Sequence, residues 1–77
     1  MEKTLNTDET RLLKAYFSQM QTATRYGYYA AIPSTDMLQL QTIYRHYLAP
    51  EWNIRIWCSK CCLDTLRGLY ELTKTLL

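Results

Sequence analysis

Glycine and proline are scarce in this chain, with two of each in 77 residues. That scarcity excludes collagen-like and Pro/Gly-rich disordered sequence. It also leaves no glycine-rich loop of the kind that cradles phosphates. Histidine is scarcer still, His46 being the only one. No Ser/His/Asp or Cys/His pair stands at a catalytic spacing, so an enzyme is not expected. A surplus of one charge is missing as well: nine Lys/Arg face seven Asp/Glu, a net charge of +2. Nucleic-acid binding, which calls for a basic face, therefore has weak support. No apolar run approaches the roughly 20 residues that cross a bilayer, and no membrane association is expected. The opening stretch MEKTLNTDET has no apolar h-region, so no signal peptide is expected either. The expected location is the cytoplasm, where cysteines start reduced.

What is present is apolar and aromatic. Hydrophobic residues make up 48% of the chain, enough for a packed core, and seven tyrosines and two tryptophans serve cores and binding surfaces equally well. The length predicts one small domain over residues 1–77, of a size often stabilised by a disulfide, a metal or a partner chain. The patterning predicts an all-α fold: a compact bundle of three principal helices, near 7–25, 35–48 and 59–75, with an aromatic-rich connection.

The first helix opens on Asn6, with Glu9 three residues later at the capping-box position. At about 100° per residue, Leu12, Leu13, Tyr16, Phe17, Met20 and Ala23 share one side. Gly27 and Pro33 bracket a break. Ser34 is the expected cap of the second helix, whose apolar face carries Met37, Leu40, Ile43, Tyr44, Tyr47 and Leu48. Pro50 ends it. Trp52, Ile54 and Ile56 alternate with polar residues, a strand-like period in a chain that offers no partner strand. The stretch reads as an extended connection covering one end of the core, with a short bridge to Tyr28–Ala31 as the alternative. The third helix carries Lys60–Asp64 and Arg67–Glu71 pairs at i,i+4 on its exposed stripe. Its apolar residues span more than half of the circumference, so it is expected at the centre. Gly68 lies at the edge of that arc, where a close helix approach would explain it. The core is expected to contain Leu12, Tyr16, Met20, Leu40, Tyr44, Cys62, Leu66 and Leu69.

The three cysteines fall within five positions, in IWCSKCCLD. Cys58-x-x-Cys61 is a zinc half-site spacing, and Cys62 and His46 would complete four ligands. Against zinc, no second CxxC is present, Cys62 points about 100° away from Cys61 on a helix, and His46 lies on the polar side of its helix. A redox pair is the second reading, since a helix N-terminus and Lys60 lower a thiol pKa. Thioredoxin-like motifs, however, follow a strand in a βαβ unit, which this chain lacks. The preferred reading is the start of a core helix, with Cys62 inside and Cys58 and Cys61 half-buried, and no cofactor.

Residues 40–70, LQTIYRHYLAPEWNIRIWCSKCCLDTLRGLY, resemble small helical proteins encoded by phages and prophages. Ile43-Tyr44, Cys58-Ser59-Lys60-Cys61 and Leu66/Leu69 carry the match. The resemblance implies a viral accessory or virion-associated role in the host cytoplasm and assigns no activity or functional residue. The expected function is a non-enzymatic protein-interaction module, binding a protein partner or its own copy. Its surface would comprise Trp52, Trp57, Leu63, Tyr70 and Leu77, at the margin of the third helix's apolar arc. One alternative is a small nucleic-acid-binding helical domain contacting phosphates through Arg11, Lys14, Arg25 and Arg45, with His46 beside them; a second is a small zinc-stabilised adaptor using the cysteine cluster.

Overall fold

The computed structural model describes residues 5–75, which form four helices and no strand. They are α1 (Thr7–Ala15), α2 (Phe17–Tyr26), α3 (Ser34–Tyr47) and α4 (Ser59–Lys74). The all-helical class stands, but the single helix expected over 7–25 is two. Tyr16 leaves helical geometry (φ −104°, ψ 10°), although its N–H still bonds Leu12 O at 3.2 Å and its own carbonyl accepts from Met20 N at 3.0 Å. The chain therefore bends there, with these two bonds holding the residues on either side of the break. The bend lets α1 lean on α3 and α4 while α2 packs along α4. Helix α4 touches all three others and is central, as its wide apolar arc requires. None of the described helices is long and apolar enough to cross a membrane.

The helix ends follow from local chemistry. Asn6 Oδ1 accepts from Glu9 N (2.7 Å) and Glu9 Oε1 accepts from Asn6 N (3.0 Å), a complete capping box. Gly27 ends α2 in the left-handed conformation (φ 78°), which costs glycine nothing. Its N–H and the Arg67 Nε–H both donate to Ala23 O, at 3.1 and 3.2 Å, so α4 closes the end of α2. Pro33, not Ser34, is the cap residue of α3. Ser34 is already helical, and no side chain caps that end. Proline suits the position because its own N–H is not needed there. Helix α3 stops at Tyr47, three residues before Pro50.

Leu13, Met20, Ala23, Leu40, Leu66 and Leu69 are fully buried, and Met37, Ile43 and Cys62 nearly so. Leu12, Tyr16 and Tyr44, expected inside, are half-buried and pack against this core from outside. The bend at Tyr16 gives α1 its own rotation, and Leu13 takes the innermost place. Leu48 is exposed because it caps α3 rather than continuing its face. Thr65 and Thr73 are buried polar residues with partners: Thr65 Oγ1 donates to Cys61 O one turn back (2.8 Å) and Thr73 Oγ1 to Met20 Sδ of α2 (3.4 Å).

Two tyrosine–carboxylate bonds tie the start of α1 and its junction with α2 to α3. Tyr16 Oη donates to Asp36, and Tyr47 Oη donates to the same Glu9 Oε1 that closes the capping box, at 2.9 Å. The hydrogen bond to Asp36, with burial, raises the Tyr16 pKa; burial, then the bond to Glu9, raises that of Tyr47. Both phenols thus hold their protons to higher pH folded than unfolded. Their contribution is complete below the ordinary value of 10.0 and is lost as pH climbs through the folded values. Urea midpoints measured from about pH 8 upward should fall beyond that value, and Tyr16→Phe with Tyr47→Phe should flatten the fall.

At Gly68 the Tyr44 ring of α3 packs directly on the backbone of α4. A Cβ there would sit 2.4 Å from Tyr44 Cε1 and 3.1 Å from Cδ1. The ring has little freedom to retreat, because Trp52 packs edge-on against it with centroids 4.9 Å apart. Gly68→Ala should therefore destabilise the fold, reversing the gain of about 1 kcal/mol that alanine normally brings to a helix interior. Leu66→Ala or Leu69→Ala should cost roughly 2–5 kcal/mol. Equilibrium denaturation of the three variants checks both statements.

Candidate functional site

Residues 48–58 run without regular structure from α3 to α4, and their backbone groups need partners. One partner is a side chain. Gln41 is fully buried on α3, its Oε1 accepts from Arg55 N (2.6 Å), and its Nε2 donates to Arg55 O (3.0 Å). The amide thus pairs with Arg55 as a neighbouring strand would. Its second Nε2 hydrogen reaches Cys62 Sγ at 3.5 Å, and the Cys62 thiol donates to Ile56 O at 3.4 Å. Between turns at 50–51 and 56–57, Trp52 and Ile54 are half-buried and Asn53 and Arg55 exposed, as the alternation implies, and no bridge to Tyr28–Ala31 forms among the described residues. Sequence reasoning passed over Gln41. Its signal was an amide at i+4 from Met37 and i−3 from Tyr44, in the middle of an apolar stripe.

The clamp fixes the approach to α4. Cys58 is the N-cap residue (φ −92°, ψ 108°), and its Sγ accepts from Cys61 N at 3.1 Å. All three cysteines are free thiols: Cys58 and Cys61 half-buried, Cys62 buried. The Cys61 thiol and then the Cys61 backbone N–H, both hydrogen-bonded to Cys58, hold the Cys58 pKa below its ordinary value, with help from the Arg55 charge. The bond to Cys58, then burial, pushes the Cys61 pKa up. Burial, followed by the nearby Cys62 sulfur, raises the pKa of Tyr29, which packs on the core beside them. Tyr29 also escaped the sequence reading, as part of an undivided tyrosine run.

The zinc set does not come together. No three His, Cys, Asp or Glu side chains among the described residues are grouped to hold a metal ion. The Cys62 sulfur is engaged by Gln41 and Ile56. His46 stands exposed on α3, its ring edge-on to Tyr47 at 4.5 Å, in a groove with Thr42, Arg45, Pro50 and Ile54.

Of the residues expected to form an interaction surface, Trp57 is 78% exposed. Trp52 is half-buried against Tyr44, and its buried indole N–H has no hydrogen-bond partner among the described residues. Tyr70 stacks on Phe17 of α2 (5.4 Å), with the Lys74 ammonium 5.6 Å from its ring. Leu63 is half-buried and shares an open cleft of about 550 Å³ with Gly27, Tyr28, Tyr29, Ala31, Ser59 and Lys60. The tyrosine segment and α2 thus both lie along that margin of α4. Leu77 lies outside the described residues. Tyr26 and Tyr28, 67% and 62% exposed and with ring centroids 5.9 Å apart, were not among the expected contacts.

The basic residues Arg11, Lys14, Arg25 and Arg45 are exposed, but they lie on three different helices. Arg11 shares its groove with Asp8 and Asp36, whose carboxylates would repel a phosphate. No protein-family model matches the chain, and neither a curated protein nor a solved structure does.

Gln41→Leu keeps the volume and removes both bonds to Arg55. It should cost roughly 1–3 kcal/mol, the usual penalty for orphaning buried polar groups. Hydrogen exchange should show the Arg55 amide losing protection beyond the global loss of stability.

Proposed function

We propose that this chain is a non-enzymatic protein-interaction module, binding a protein partner through Trp57 together with Tyr26 and Tyr28. The observation that carries the reading is the exposure of Trp57, 78%, on a connection that Gln41 holds in place two residues earlier. Tryptophan and tyrosine dominate the energetics of protein interfaces, and a backbone held at Arg55 leaves less of the connection to order on binding. The near-balanced charge of +2 suits a protein partner better than a polyanion. The resemblance to phage-encoded helical proteins makes an accessory or virion-associated role in the host cytoplasm the proposed setting. A heteromeric partner is favoured over a homodimer, because Phe17 and the tyrosine segment already lie against the α4 margin that a second copy would use.

The test is cross-linking from a photoreactive group at Tyr28 in host extract, competed by unlabelled protein. A partner should be displaced by the wild-type chain and at least about tenfold less well by Trp57→Ser, a loss typical of an interface hot spot. Circular dichroism should be the same for both. Competition by Trp57→Ser equal to that of wild type would remove the reading. Micromolar binding to duplex or single-stranded DNA that weakens steeply with salt would replace it with nucleic-acid recognition.

A further inference from the structure

Cys62 has a structural use, but Cys58 and Cys61 are accounted for only as a cap and its neighbour. Their surroundings are those of a reactive pair. Cys58 Sγ sits at the positive end of a 16-residue helix whose first turn holds no acidic residue, and it receives the Cys61 N–H at 3.1 Å. Lys60 and Arg55 are the cations nearest in the chain, and Gln41 holds the Arg55 backbone. Both thiols are half-buried and open to solvent, whereas Cys62 is 2% exposed and held by Gln41 and Ile56. Beside them opens the cleft lined by Tyr28, Tyr29, Ser59, Lys60 and Leu63, aromatic and apolar with one cation.

We infer that Cys58 and Cys61 form a dithiol that exchanges with an external disulfide, Cys58 attacking and Cys61 resolving. The Cys58 thiolate attacks one sulfur of the incoming disulfide. A Cys58 mixed disulfide forms, and the other half leaves as a thiolate. Cys61 then loses its proton to solvent or to that thiolate and attacks the Cys58 sulfur. The Cys58–Cys61 bond forms and the second half departs. One dithiol is oxidised, one external disulfide is reduced to two thiols, and no other reactant is needed. Asymmetry assigns the order: a thiol that accepts hydrogen bonds is the better thiolate, and its donor is the later nucleophile. The lowered pKa of Cys58 and the raised pKa of Cys61 agree with that order. Cys58 Sγ already lies 3.1 Å from Cys61 N, so the two side chains meet at the start of α4. A disulfide needs Cβ atoms about 3.5–4.5 Å apart, so closure requires Cys58 to turn toward the Cys61 side chain. That movement is available because Cys58 lies outside the helical turn. The inference stands apart from the Trp57-dependent partner and survives its loss.

The experiment incubates the full chain with oxidised glutathione at neutral pH, quenches with acid and maps the products by intact-mass and peptide mass spectrometry. Wild type should lose both thiol hydrogens and yield the Cys58–Cys61 bridge. Cys61→Ser should stop as a glutathione adduct on Cys58. Cys58→Ser keeps a capping acceptor and the fold, which circular dichroism verifies, and should react at least about tenfold more slowly. An adduct that persists on wild-type protein, a bridge that includes Cys62, or Cys58→Ser reacting at the wild-type rate would each overturn the inference.

Discussion

An extended segment inside an all-helical protein has no neighbouring strand, and here the amide of Gln41 takes a strand's place. It donates to and accepts from Arg55, the same reciprocal exchange that a β-pair makes. Everything from Ile56 to the start of α4 is positioned from that point. Ile56 packs against the core, Cys62 completes the Gln41 hydrogen bonding from the far side, and Cys58 arrives at α4 in the extended conformation a cap requires. Without the clamp, the buried Gln41 side chain and the Arg55 N–H would lose their partners, while Arg55 O would keep the Cys58 N–H at 3.3 Å; an unpaired amide in the interior is costly.

The two ends of α3 are tied to α1 and to the bend after it by carboxylates. Glu9 closes the capping box of α1 and accepts the Tyr47 hydroxyl, so starting α1 and docking it against the end of α3 share one residue. Asp36 does the corresponding work at the start of α3 by accepting from Tyr16 at the bend. A short α1 with one buried residue, Leu13, would be marginal alone. Its place depends on these ties as much as on apolar contact.

The legible features were those set within a few residues. The capping box at Asn6, the stop at Gly27, the stop before Pro50 and the close approach at Gly68 all follow from local chemistry. The division at Tyr16 was not legible. Ala15, Tyr16 and Phe17 are all compatible with a continuous helix, and the residue that leaves the helix is the one tied to Asp36, 20 positions away. Gln41 was missed because a polar residue on an apolar stripe has meaning only once its long-range partner is known. The same holds for Thr73, whose hydroxyl is absorbed by the sulfur of Met20, 53 positions away, whereas Thr65 is satisfied by a carbonyl one turn back. At the candidate site, the half-burial of Cys58 and Cys61 was readable from helix phase. The cap geometry, the Tyr29 neighbour and the exposure of Tyr26 and Tyr28 depend on how the connections fold.

The Tyr44 ring over Gly68 also works as a key in a lock. Helices with uniform leucine faces can slide past one another by a turn with little change in buried area. Here a slide of one turn would set the ring over Asp64 or Leu72, where side chains fill the space that Gly68 leaves empty. The α3–α4 pair therefore has one axial register. Because Gln41 lies on the same helix as Tyr44, that register is transmitted to Arg55, and so to the spacing between the clamp and the first turn of α4.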